Sequence, residues 1–136
     1  MSSMFYGCSG LIELDLSSFN TNKVTDMSRM FDECKGLKEL NVSSFNTSQV
    51  TDMSYMFARC YILNGLNLLS FDTNKVTDMS SMFIYGYGLE ELNLLSFKTN
   101  EKTKTSFIFD EINISCKILC EDKFLKEKIS SECILF

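Results

Sequence analysis

Leu37–Ile62, LKELNVSSFNTSQVTDMSYMFARCYI, decides how the whole chain is read, because the same 26-residue pattern stands before it and after it. Stepping by that period gives Leu11, Leu37, Leu63 and Leu89, then Leu14, Leu40, Leu66 and Leu92. It also gives Phe19, Phe45, Phe71 and Phe97, and Met4, Met30, Met56 and Met82. Phe5, Phe31, Phe57, Phe83 and Phe109 form a further column, and Cys8, Cys34 and Cys60 another. Self-similarity at a fixed period of this length marks a solenoid, in which each unit buries its apolar face only against its neighbours. Residues 1–136 then make a single domain, with a partial repeat at 1–10, repeats at 11–36, 37–62, 63–88 and 89–114, and a C-terminal strand and capping helix over 115–136.

Within each unit the opening Leu-x-x-Leu-x-Leu places Leu14 and Leu16 on one face, the alternation of a short strand buried on one side. Stacked at this period, such strands form a parallel sheet. A polar stretch follows (Asn20–Asn22, Asn46–Ser48, Asp72–Asn74, Lys98–Asn100), of residue types that close turns through side chain to backbone bonds. Next comes VTDMSxMF, in which Val50, Met53, Met56 and Phe57 recur at helical or 3-10 spacing, with Thr51 or Asp52 as an N-cap. The segment is too short to be a stable helix alone, so packing must hold it.

The period weakens after Lys98, where Lys102 and Thr105 stand in the Val and Met columns. Ile108 and Phe109 then restore the Met-Phe pair, and Ile118 and Cys120 fall in register with Leu14 and Leu16 as a weaker fifth strand. Asp122 before KFLKEKI, with Leu125 and Ile129 four apart, predicts a short helix that closes the open end of the core. At the other end MSSMFYGCSG starts in mid-repeat, which predicts a longer array upstream or a partner over the first rung. The isolated chain is expected to form a homodimer through that uncapped N-terminal rung, where Met1, Met4, Phe5 and Cys8 lack a preceding unit.

The net charge of -5 and pI near 4.7 offer no attraction to nucleic acid or an anionic membrane. No apolar run is long enough to span a bilayer, so direct membrane insertion is not expected, and the first residues lack the basic and apolar regions of a signal peptide. The chain has no histidine, which excludes Ser-His, Cys-His and His-metal arrangements, and no Gly-rich phosphate loop. Three of the six cysteines occupy one column and read as small buried hydrophobes, while Cys133 is a candidate link to Cys116 or Cys120. Asp26, Asp52 and Asp78 form a ladder of like charges that capping explains without a cation. No enzyme, cofactor or metal site is expected.

The strand pattern followed by SSFNT, VTDMS and MFxxC resembles the BspA-like leucine-rich repeats of bacterial and protist surface proteins, close to the 26-residue type of mycoplasma surface lipoproteins. Three nearly intact copies of VTDMSxMF carry the resemblance (Val24–Phe31, Val50–Phe57, Val76–Phe83), which extends from Met1 to about Cys120. It implies an α/β leucine-rich-repeat solenoid, with the short parallel sheet on the concave face and short helical or 3-10 turns on the convex side. It also implies a location at the cell surface or outside the cell, and a non-enzymatic role in adhesion or host-protein binding.

On the outward strand positions, the candidate protein-binding residues are Glu13, Asp15, Glu39, Asn41, Asn67, Leu69, Glu91, Asn93 and Leu95. Leu69 and Leu95, outward in adjacent units, make an apolar patch among Asn and Glu, a mixture suited to a protein ligand. The expected function is a protein-binding repeat module, from the C-terminal part of a surface adhesin. The alternative is a structural spacer array that presents another domain, with Leu69 and Leu95 covered by the C-terminal tail or simply tolerated.

Overall fold

Three residues of strand do not hold together alone in water, so every short strand of this chain depends on a neighbour. The structure, a computed structural model, describes residues 1–133 and is mixed α/β. β1 (Gly65–Asn67), β2 (Glu91–Asn93) and β3 (Lys117–Leu119) form a parallel sheet in that order, and α1 (Lys123–Glu132) follows. Leu66 pairs with Leu92 and Leu92 with Ile118, so the register advances by one sequence period per strand. Leu66, Leu68, Leu92 and Leu94 point into the core, and Cys120 continues the Leu94 column. The weaker fifth strand expected around Ile118 is therefore present as β3.

The equivalent stretches Leu11–Leu16 and Leu37–Val42 keep the inward pattern, with Leu16, Leu40 and Val42 buried, but neither forms a strand. The expectation of a strand in every unit is corrected here. Asn64 N–H donates to Lys38 O at 3.1 Å, and the Ser44 and Ser70 hydroxyls donate to the carbonyls of Leu16 and Val42 at 3.3 and 3.5 Å. Side-chain hydropathy alone fixes which residues face inward. A ladder additionally requires backbones about 4.8 Å apart, and among the described residues it forms across β1, β2 and β3 alone.

The VTDMSxMF segments are not helices, which corrects the helical or 3-10 expectation. In the second unit Met30 N–H donates to Met27 O, Asp32 to Arg29 O and Cys34 to Phe31 O, at 3.1 to 3.2 Å. The intervening N–H groups of Arg29, Phe31 and Glu33 donate instead to Ser54, Met56 and Ala58 in the next unit, at 2.9 to 3.0 Å. Arg29 and Glu33 sit third in their turns at φ 55° and 63°, the left-handed position of a type II turn. The same alternation recurs from Tyr55 to Arg59 and from Ser81 to Tyr85. Turns closed over three residues place apolar side chains inward at a spacing that imitates a helix. What separates the two is where every second N–H goes, and the neighbouring unit supplies its acceptor.

Asp52 accepts from the N–H and hydroxyl of Ser54 at 2.8 and 2.7 Å, and Asp26 does the same for Ser28. Each carboxylate closes a turn onto the residue two positions on, by the same chemistry as the expected helix cap. The bridges Asp26–Asp52, Asp52–Asp78 and Asp78–Lys104 tie these positions from unit to unit. At the end of the column, Lys104 lies 3.5 Å from the Asp78 carboxylate.

The core is a set of stacks along the period. Phe5, Phe31, Phe57, Phe83 and Phe109 lie face to face, with centroids 5.6 to 5.9 Å apart. Cys34 and Cys60 are buried, and each thiol donates to a backbone carbonyl of the preceding unit, Phe5 O and Phe31 O. Burial pushes the Cys34 thiol up to about 11 and the Cys60 thiol higher still. Both behave as packing residues, and all six cysteines are free thiols, Cys116, Cys120 and Cys133 included.

A second buried column is polar. Thr21, Thr47 and Thr73 are buried, and each hydroxyl donates to the backbone carbonyl 25 residues on (Asn46, Asp72, Lys98) while accepting that residue's N–H. Thr99, the next in the column, has no such unit beyond it, and Asp122 takes its place. The Asp122 carboxylate accepts from Thr99 N–H and Oγ1, both at 2.7 Å, and caps α1 by accepting from Leu125 N–H at 3.0 Å. At the other end of α1, Glu132 accepts from Phe109 N–H at 2.9 Å, and Leu125 is fully buried. The helix thus closes the end of the core as the sequence predicts; the last three residues of the 115–136 segment lie outside the described residues.

Candidate functional site

The outward strand residues of successive units border a groove of about 1040 Å³. Seven of the nine candidates line it: Glu13, Glu39, Asn41, Asn67, Leu69, Glu91 and Asn93. Asp15 and Leu95 do not. Each position follows from alternation: the inward Leu66 and Leu92 fix their neighbours outward, so burying one row exposes the other. Leu69 is 51% exposed and Leu95 39%, so among the described residues no tail covers them. Ile12 joins Leu69 as a second exposed apolar side chain lining the groove. Lys38 is the one cation among the lining residues, against Glu13, Glu39 and Glu91, which leaves the groove acidic. Glu91 is only loosely offset by Lys117 at 4.0 Å, with both side chains well exposed.

Four candidates have a structural occupation as well. Asp15, Asn41, Asn67 and Asn93 accept through their side-chain oxygens from the N–H groups of Ser17, Ser43, Leu69 and Leu95, at 2.9 to 3.2 Å. The Asn residues keep their amide N–H groups for another acceptor, whereas the carboxylate of Asp15 is held below the usual range by Ser17. Apolar side chains, free amide donors and carboxylates in one shallow groove suit recognition of a polypeptide by packing and hydrogen bonding.

A single charged cluster, formed by Asp32 and Arg29 of one unit with Arg59 of the next, was missed by the column reading. Asp32 is fully buried, with one carboxylate oxygen 2.6 Å from Arg59 and 3.4 Å from Arg29 and the other without a hydrogen-bond partner. Arg29 in turn lies over the Tyr55 ring at 4.5 Å. Desolvation pushes the Asp32 carboxyl above 3.8, and Arg59 and Arg29 only partly oppose it. Asp32 and Arg59 stand in neighbouring units 27 residues apart, one step off the period, so the signal was legible only to a search for opposite charges at nearly that distance.

The raised carboxyl sets a pH dependence. Between the ordinary value of 3.8 and the raised one, the folded chain binds more protons at Asp32 than the unfolded chain, so its contribution to stability is fully present below that window and falls as pH rises through it. Asp32→Asn is expected to remove that fall. Melting temperatures measured from pH 3.5 to about 7 should show the parent losing stability relative to the variant as pH rises. A difference between parent and variant that does not fall as pH rises across the window would contradict the assignment.

Residues 1–119 match the family described as "Mycoplasma protein of unknown function, DUF285". No curated protein and no solved structure matches the chain.

Proposed function

The chain belongs to that mycoplasma family, and we propose that it is a BspA-like leucine-rich-repeat solenoid serving as a non-enzymatic protein-binding module of a cell-surface adhesin. Support for the repeat type comes from the 26-residue period together with backbone bonds that run from each unit to the next. The single observation that carries the binding role is the groove bordered by Leu69, Ile12 and the outward Glu and Asn residues. Exposed apolar side chains lower solubility and are not needed to close the core, so their place is on a surface that a partner covers. The ligand is a protein, and the surface location follows the resemblance to adhesins.

A second reading, the structural spacer, is favoured by one observation. The turn bonds of Asp15, Asn41, Asn67 and Asn93 explain those side chains without any ligand. Replacing Leu69 and Leu95 together by Ser separates the two. With a panel of immobilised extracellular-matrix and plasma proteins as the probe, the parent should retain at least one, and the double variant should bind it at least tenfold more weakly with an unchanged circular-dichroism spectrum. Retention undiminished by the substitutions, or no retention by the parent, favours the spacer.

A further inference from the structure

Along the acidic row of the groove Glu13, Glu39 and Glu91 share one repeat position, and Gly65 interrupts them in the unit between Glu39 and Glu91. Glycine weakens a strand, because it has more conformational freedom to lose and no side chain to pack. A fold keeps one in a strand where φ is positive or where another backbone lies too close for a Cβ. Neither holds at Gly65. Its φ is outside the left-handed region, and a Cβ built on it would meet its nearest neighbour, Glu91 O, at 3.8 Å, an ordinary contact. At Gly36 and Gly88, by contrast, a Cβ would lie 2.7 and 2.8 Å from a backbone oxygen of the preceding unit. Those two glycines serve the stacking of units, whereas the space at Gly65 opens on the groove.

Carboxylates flank this notch. Glu91 is the direct partner of Gly65 in the sheet, and Glu39 is the equivalent residue on its other side. Among the described residues Glu13 and Glu39 enter no ion pair, and Glu91 reaches Lys117 only at 4.0 Å, between two well exposed side chains. Three lining carboxylates against Lys38 alone leave negative charge uncompensated. Two positions along β1 from the notch, Leu69 lies exposed beyond Asn67. The groove thus has an acidic side, an apolar side and a row of amide donors between them.

We propose that the groove takes an extended basic segment of a partner polypeptide, with an arginine or lysine side chain seated over Gly65 between Glu39 and Glu91 and an adjacent apolar side chain on Leu69. The proposal rests on the reading of the groove as a protein-binding surface and names the class of its ligand. An extended chain sends alternate side chains to opposite sides. A segment lying along the Asn row therefore turns basic residues to the carboxylates and apolar ones to Leu69, while its carbonyls accept from the Asn amides. Because the carboxylates are exposed, the attraction weakens as salt is added.

Fluorescence anisotropy with a short labelled peptide of alternating Arg and Leu tests this on the full chain, at low and high salt. Glu39→Gln and Glu91→Gln should each weaken binding roughly threefold, and together roughly tenfold, the size expected of exposed ion pairs. Glu101→Gln makes the same change in net charge away from the groove and should leave binding unchanged. Gly65→Val should raise the melting temperature, since a β-branched residue suits a strand, yet weaken binding roughly tenfold by filling the notch. A Gly65→Val chain that melts lower, or that binds as the parent does, overturns the proposal. So does a loss on Glu101→Gln as large as that on Glu39→Gln, or equal affinity for a peptide with Ser in place of Leu. A parent that ignores the peptide also overturns it; if that parent still retains a matrix or plasma protein through Leu69 and Leu95, the ligand class fails and the binding role stands.

Discussion

Truncating Phe57 to Ala is expected to lower the unfolding free energy by about 3 to 5 kcal/mol, the usual loss for a buried aromatic that leaves a cavity. Phe57 is buried and sandwiched between Phe31 at 5.7 Å and Phe83 at 5.9 Å. The vacated space would open on both stacked rings, and neither backbone can shift to close it without breaking its bonds to the next unit (Phe31 N–H to Met56 O, Phe83 N–H to Ile108 O). Phe5→Ala should cost clearly less. Phe5 is only half-buried and has Phe31 on one face, with Phe19 inclined to it at 6.1 Å. Urea denaturation of both variants measures the difference; equal losses would mean that Phe5 is packed in solution as fully as Phe57.

The second large effect is expected at Asp122. Its carboxylate completes the threonine column at Thr99 and caps α1 at Leu125, so Asp122→Ala strands two backbone N–H groups and one hydroxyl. Loss of a cap costs about 0.5 to 2 kcal/mol, and each buried donor left without a partner about 1 to 3, so a total of about 3 kcal/mol is a conservative expectation. Desolvation pushes this carboxyl upward, but the hydrogen bonds from Leu125 and Thr99 outweigh it and leave it below 3.8. The sign is therefore opposite to that of Asp32. The contribution of Asp122 is complete above pH 3.8 and disappears as pH falls through the lowered value. Hydrogen exchange offers a local test, since protection at Leu125 and Phe109 should drop in the variant while that at Phe57 persists. Uniform loss across all three amides would mean that α1 and the stack unfold as one unit.

Hydropathy and period made most of the core legible. Leu66, Leu92 and Ile118 stand 26 residues apart in the sequence and lie side by side in the sheet, because a repeat can bury its apolar row only against its own copies. Asp122 and the apolar pair Leu125 and Ile129 announced α1 through capping chemistry and spacing. The threonines at 21, 47, 73 and 99 were equally periodic, but hydropathy gives no reason to bury a hydroxyl. Their position became intelligible only once Thr21, Thr47 and Thr73 were each seen to exchange two hydrogen bonds with the next unit, and Thr99 to donate two to Asp122.

Outward positions were legible as positions and not as roles. Glu13, Glu39, Leu69 and Glu91 were placed on one face by alternation and do border one groove, yet nothing in alternation revealed that Asn41 and Asn67 would spend their oxygens on turns. Nor did it separate the inward spacing of Val50, Met53 and Met56 in a run of turns from that of a helix. The sequence by itself determined the period, the buried columns and the closing helix, because burial of apolar side chains depends on which residues are present and how they are spaced. The tertiary structure decided where every second backbone N–H of the turn runs goes, which units pair as strands and which opposite charges meet, because those depend on the distance between neighbouring units, and no single repeat contains that distance.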